Sequence, residues 1–381
     1  VRLVLAPEGV ARIVLWIAQS DELCEQAVQA FRQVWVNLGA RRTNLRIVRL
    51  WGGNPNPKGL QPDKPTVIVA SIQTMNSRIG AALDELRKPG LLVVDECHHA
   101  ITQSYNTLLR WLNAETPPCA GAAEMDEPPI VGLSATPFRT NDDESKRLAR
   151  RFDKNWLPSD QERLYERLLS EGVLARTDYE SLDSGIGLTD DELEKLGKLP
   201  EPWKDFEFEQ LLEAINKRLA GDAHRNERML ECIQNCAERS ILFFTNSVAH
   251  AEEMAARLNV IGFSAAAISG ETPTVARRYF VDRFQSGQIR VLCNHSVLTT
   301  GFDAPKTDMI LIARQVFSPV SYMQMVGRGL RGEKNGGTSK CRIVTVMDNL
   351  GRFQDRHPYH YCRNLYSTSA YISAATAIDR E

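Results

Sequence analysis

The chain is punctuated by short, almost uninterrupted apolar runs, each separated from the next by charged, helix-forming sequence. "RIVLWIA" (12–18), "LRIVRL" (45–50), "TVIVAS" (66–71), "LLVVDE" (91–96) and "IVGLSA" (130–135) fill the opening part. Runs of this length read as strands, and strands apolar at nearly every position belong to a sheet buried on both faces. Between the first two, Leu23, Ala27, Ala30, Phe31 and Val34 recur at helical spacing, which predicts a crossover helix with one apolar stripe. Strand–helix–strand repetition of this kind makes a parallel α/β sheet. Residues 52–65, "GGNPNPKGLQPDKP", read as a surface loop.

The rhythm returns at residue 240. "SILFFT" (240–245) leads into a helix with Val248, Ala251, Ala255 and Leu258 on one face. Then come "SAAAIS" (264–269), a helix over 274–285, "IRVLCN" (289–294), "DMILIA" (308–313), a helix near 319–330 and "CRIVTVMD" (341–348). A chain of 381 residues exceeds what one core usually organises, so two α/β domains are expected, over 1–140 and 239–350. Residues 141–238 are charged and helix-prone, with "SDQERLYERLL" (159–169) opening on an N-cap-like Ser159 and "FEFEQLLEAINKRL" at 206–219. They read as a helical connector, with a lid or insertion of the first domain as the alternative; 351–381 is a C-terminal extension.

Composition removes several classes. No apolar stretch approaches the ~18–20 residues that span a bilayer. The formal net charge of −2 argues against a bulk polyanion binder, so any nucleic-acid contact must come from a locally basic cleft. Eight cysteines without a CxxC pair, Cys232 and Cys236 being at helical spacing, suggest reduced thiols, a cytoplasmic setting and no zinc ribbon. The chain opens on valine without a signal-peptide pattern. "VRLVLA", ended by Pro7-Glu8-Gly9, reads as the last turns of a helix, and the expectation is a piece of something longer.

The chemistry gathers at the ends of the apolar runs. "LLVVDECHHA" (91–100) drives a buried strand into Asp95 and Glu96. Ligands of open α/β sheets bind outside the carboxyl ends of the strands. A hydrated Mg²⁺ is held by one or two carboxylates plus substrate phosphates, which suits this pair. A zinc cage would need converging neutral ligands, whereas the adjacent His98 and His99 are expected to diverge. Three more motifs accompany it: "SATPF" (134–138), "TTGFDAP" (299–305) and "QMVGRGLRG" (324–332). In the last, Gln324, Arg328 and Arg331 are four and three positions apart and share one helix face, with Met323, Val326 and Leu330 on the core side. Guanidinium forks on such a face match phosphate geometry; a salt-bridged surface is the plainer alternative.

These motifs, in this order, resemble a superfamily 2 helicase or translocase of the DEAD/DEAH-box type, here a DECH variant. The flavour is that of the helicase part of bacterial type III restriction-enzyme subunits, and the resemblance covers nearly the whole chain. It implies two tandem RecA-like domains with ATP and Mg²⁺ as cofactors. Asp95 would hold Mg²⁺ through water, and Glu96 would orient and deprotonate the attacking water. His98 would bridge towards Gln324, and Ser134, Ala135 and Thr136 would couple chemistry to domain closure. Gly301, Asp303, Gln324 and Gly327 would lie around the nucleotide, with Arg328 and Arg331 as arginine fingers. Cys97, where the DEAD and DEAH forms have Ala, is expected to be a small buried hydrophobe.

The same resemblance places nucleic-acid contacts at Gln19 and Ser20, at Ser71, Gln73 and Thr74, at Thr245 and Asn246, and at Thr299 and Thr300. Such groups grip phosphates without reading sequence. Ser20 and the Asn246-Ser247 pair also read as helix N-caps, a role compatible with anion binding. DNA is favoured over RNA; the alternatives are a nucleic-acid-binding scaffold that has lost catalysis, and the motor subunit of a restriction or antiphage assembly with a nuclease or methyltransferase as partner. His224, His250, His295, His357 and His360 receive no role. The phosphate cradle GxxxxGK[ST] is absent, the one Gly-Lys pair being Gly197-Lys198 before Leu199. The expectation is a cradle on the order of 10–20 residues before Val1, a helix length away. Without that strand, orphaned backbone groups would cost ~1–3 kcal/mol each, so the chain alone is expected to have a weakened first domain and negligible ATP turnover.

Overall fold

Each apolar run named above forms a strand in the computed structural model, which describes residues 13–37, 44–61, 64–112, 128–134, 142–155, 164–198, 206–295, 304, 306–349 and 358–360. The chain divides into two compact units, Val1–Trp156 and Leu157–Glu381. In the first, β1 (Ile13–Ala18), β2 (Arg46–Leu50), β3 (Thr66–Ser71), β4 (Leu91–Asp95) and β5 (Ile130–Leu133) make one parallel sheet, ordered β2-β3-β1-β4-β5. Its register pairs Ala18 with Ser71, Ile17 with Val94 and Asp95 with Leu133. Gln19, Ser71, Asp95 and Ser134 therefore emerge at one end of the sheet.

Both faces of that sheet are covered, which is why its strands are apolar throughout. Val14, Val67, Val69 and Val93 meet α1 (Asp21–Asn37) through Leu23, Cys24, Ala27 and Val28. The expected stripe holds only for the first turns: Ala30 and Val34 are exposed. A helix of 17 residues runs ~25 Å, whereas a six-residue strand spans ~20 Å, so the helix outruns the sheet it covers. Leu15, Ile17, Ile68, Leu92 and Val94 face the other way, onto α2 (Ile72–Arg78), α3 (Gln103–Trp111) and α4 (Asp142–Arg151) through Met75, Leu108 and Leu148.

In the second unit, β6 (Arg176–Gly187), β7 (Ile241–Phe244), β8 (Ala265–Ile268), β9 (Val291–Asn294), β10 (Met309–Ile312) and β11 (Lys340–Asn349) form a parallel sheet ordered β6-β11-β10-β7-β9-β8. Around it run α5 (Leu164–Ser170), α6 (Asp190–Lys198), α7 (Phe206–Ala220), α8 (Ala223–Gln234), α9 (Val248–Val260), α10 (Thr274–Gln285) and α11 (Pro319–Val326). α8 and α9 close one face through Met229, Ile233, Met254 and Leu258. α6 and α7 gather a smaller core of Leu196, Phe208, Ile215 and Leu219.

The expected helical connector over 141–238 is corrected in two places. α4 packs on the first sheet, and β6 is the edge strand of the second. β6 escaped the apolar search because edge strands carry charge: Asp178 and Glu180 point outward and pair with Lys340 and Arg342 of β11. "VRLVLA" and Ser159 lie outside the described residues. Among the described residues no helix is long and apolar enough to cross a membrane.

Candidate nucleotide site and strand-end polar groups

β4 delivers its acids into a strained turn. Asp95 closes the strand, and Glu96 sits at φ 50°, ψ 53°, the left-handed region that a non-glycine residue enters only when its surroundings hold it there. The Glu96 N–H donates to Asp95 Oδ1 at 3.0 Å, and a 3₁₀ turn over Cys97–His99 follows. Burial, and then the Glu96 charge, push the Asp95 carboxyl above the usual carboxylate range. Two half-buried acids side by side are a donor set that favours a cation. One or two carboxylates suit Mg²⁺, whose other ligands are water and phosphate.

His98 is buried and aims inward. Its Nδ1 lies 3.1 Å from Ser134 Oγ at the end of β5 and 3.3 Å from Glu96 Oε2. The link from acid turn to "SAT" strand is therefore a direct side-chain contact. The expected divergence of His98 and His99 is corrected: the tight turn brings their rings to 4.2 Å, tilted by 43°. Cys97 is buried, its thiol pushed up to about 12 by burial, and it lies against Gly132 of β5. A Cβ at Gly132 would come within 2.7 Å of its sulfur, so a larger side chain at either position would force the strand and the turn apart.

The adjacent strand ends of this unit divide into capping and exposed groups. Ser71 Oγ accepts from the Thr74 N–H and lies 3.0 Å from Thr74 Oγ1, and both residues are buried. Ser20 Oγ accepts from the Leu23 N–H. Gln73 is exposed, its Nε2 donating to Gln19 O at 2.8 Å, so the ends of β1 and β3 share one polar patch. Asp21 and Glu22 occupy the first turn of α1 and answer its dipole.

In the second unit α11 ends at Val326, a 3₁₀ turn spans Gly327–Gly329, and Arg331 makes an antiparallel bridge to Leu174. The single-helix-face picture is corrected accordingly: Gln324 is on the helix, Arg328 in the turn and Arg331 beyond it. All three are half-buried, while Met323 and Val326 are core and Leu330 is half-buried. Two glycines hold the turn down. A Cβ at Gly329 would lie 2.3 Å from Cys341 Sγ, and one at Gly332 2.3 Å from Gly172 O, whereas Gly327 has open space.

Thr245 and Asn246 are corrected as direct contacts. Thr245 Oγ1 donates to carbonyls of Asn294 and Ser247, and Asn246 is 4% exposed with its amide fully engaged inside the unit. Its engagement leads to a buried ion pair, Arg225–Asp348, that the sequence reading missed. The signal was present: "IVTVMD" closes a buried run with an acid, as "LLVVD" does. Ala135, Thr136, Thr299, Thr300, Gly301 and Asp303 lie outside the described residues.

Comparison with known proteins gives two family matches. Residues 4–139 match the type III restriction enzyme res subunit, and residues 224–333 match the helicase conserved C-terminal domain. IRC3 of Saccharomyces cerevisiae, whose name describes an ATP-dependent helicase, is 27% identical over 285 residues, covering 74% of this chain and 37% of that protein. RRP3 of Debaryomyces hansenii, named as an ATP-dependent rRNA helicase, is 26% identical over 130 residues, 34% of this chain and 27% of that one. The chain spans half or less of the curated relatives it matches. A fragment described as an HsdR subunit of a type I restriction enzyme from Vibrio vulnificus shares the fold, with a TM-score of 0.54 at 19% identity over 91% of this chain and 54% of that one.

Proposed function

The chain belongs to the superfamily 2 helicases, with RecA-like α/β units in tandem, and from that premise we propose that it works as an ATP-dependent nucleic-acid translocase or helicase. The observation that carries the reading is the β4 turn: two adjacent acids at a strand's carboxyl end, tied through His98 to Ser134. Asp95 would hold Mg²⁺ through water, and the ion would supply charge neutralisation of the phosphates when bound. Glu96, held in its strained turn, orients and deprotonates the attacking water. Arg328 and Arg331 are the guanidinium groups we assign to the charge developing on a transferred phosphoryl group, and Gln324, Gly327, Gly301 and Asp303 are assigned to the nucleotide. Because His98 touches both Glu96 and Ser134, a change at the acids is felt at the strand leading to Ala135 and Thr136.

For the nucleic acid, exposed Gln73 with Gln19 and Ser20, together with Thr299 and Thr300, is the set we assign to backbone contact. We favour DNA, which the restriction-enzyme family match over residues 4–139 supports and the rRNA helicase relative opposes, and we propose a nuclease or methyltransferase as partner. The sequence contains no GxxxxGK[ST] cradle, so the chain by itself is proposed to turn over negligible ATP. The test measures nucleic-acid-stimulated hydrolysis for the chain alone and for a longer protein that supplies a cradle. Turnover confined to the longer protein is expected; helicase-like rates from the chain alone would refute the proposal.

A further inference from the structure

At the carboxyl ends of β7, β10 and β11 lies a buried polar network that the proposed ATP chemistry does not use. Arg225, in the first turn of α8 and wholly buried, donates from Nε and Nη2 to the two oxygens of Asp348 at 2.7 and 2.9 Å. Nη2 also reaches Ala313 O just after β10, and Nη1 donates to Asn246 Oδ1 at 3.0 Å. Asn246 Nδ2 donates to Asn216 Oδ1 of α7 at 2.8 Å, and the same oxygen accepts the Gln315 N–H at 3.0 Å. Gln315 closes the ring by donating from Nε2 to Asp348 Oδ2. One guanidinium thus fastens three strand ends and two helices.

Stability alone does not call for this arrangement. A buried ion pair replaced by apolar residues of like volume is commonly as stable or more so, whereas polar pairs fix one geometry against its neighbours. Gln315 also carries an unsatisfied group: its Nε2 must face the carboxylate, which can only accept, and Oε1 then finds no donor among the described residues. What the network does fix is a connection. One end is the β7 strand end, and the other is the segment from Ala313 to Ser318. Val316 is buried in that segment, Phe317 packs edge-on against Phe208 of α7, and Ser318 caps α11, which leads to Arg328 and Arg331.

We propose that Arg225, Asp348, Asn246, Asn216 and Gln315 are positioning residues that lock the β7 strand end to the α11 approach and so hold the arginine turn in the geometry that hydrolysis needs. This rests on the ATP-driven reading above. The test compares nucleic-acid-stimulated ATP hydrolysis in the cradle-containing protein, wild type against the double variant Arg225→Met with Asp348→Leu. The expected result is a stimulated kcat lower by about 10-fold or more, because small misplacements far from chemistry cost that much, with the KM for ATP nearly unchanged. Gln315→Met leaves the ion pair in place and decides the matter whether or not the double variant folds; it should lower stimulated kcat in the same way. Wild-type stimulation in folded variants overturns the positioning role alone. A wild-type protein without any stimulated hydrolysis overturns the functional reading, and this one with it.

Discussion

β4 and β11 present the same sequence device, an apolar run closed by an acid, and the fold treats the two acids oppositely. Asp348 is fully buried, and a guanidinium and an amide are aimed at its oxygens. Asp95 is half-buried beside Glu96, receives the Glu96 N–H, and has no cation against it among the described residues. The first acid has its counter-charge built in, and the second is the one we propose meets a cation that arrives with substrate. Which acid is structural and which is chemical is thus decided by the neighbouring element. α8 brings Arg225 to β11, while the turn after β4 brings a second carboxylate.

The difference should be widest in catalysis. In a cradle-containing protein, Arg328→Ala and Arg331→Ala are each expected to cut stimulated turnover by ~10³–10⁵ while nucleotide binding persists, the scale of arginine fingers in related phosphoryl transfer. Steady-state assays with nucleotide-binding controls check this, and a loss of only a few-fold in both would return the arginines to surface duty. In stability the order reverses. Asp348→Ala strands a buried guanidinium and should cost about 3–5 kcal/mol, whereas Asp95→Asn removes a repelling buried charge and should leave the chain as stable or more so. Urea unfolding of both variants decides it; equal losses would erase the contrast.

The buried network should also show itself in pH dependence. Burial, and then Arg225, hold the His250 pKa down at about 3, and its Nδ1 accepts from the Asn246 N–H. The unfolded chain takes up a proton at this residue near pH 6.5, which the folded chain refuses until about pH 3. Stability should therefore fall as pH drops through that window, by up to ~1.4 kcal/mol per unit. His250→Gln should flatten the slope in pH-dependent unfolding, and a variant with an unchanged slope would remove His250 from the account.

The strands and their order in the chain were legible because a sheet buried on both faces writes itself as apolar runs. β6 was not, since its outward Asp178 and Glu180 serve an edge. The acid pair and its strand end were legible from spacing. The strain at Glu96 was not, because backbone angle leaves no mark in composition. Nor was the inward turn of Asn246: a polar residue after a strand looks the same whether it meets solvent or a buried arginine. Asp348 showed as an acid at a strand end, but its partner Arg225 stands 123 positions away and no local pattern joins them.

The most direct measurement is hydrolysis by Glu96→Gln in the cradle-containing protein, with nucleotide binding followed in parallel. A neutral amide of the same shape cannot take the proton from water, so ATP should still bind while stimulated turnover drops by roughly 10²–10⁴. Stimulated hydrolysis at the wild-type rate in that variant would contradict the assignment of the β4 turn as the chemical site.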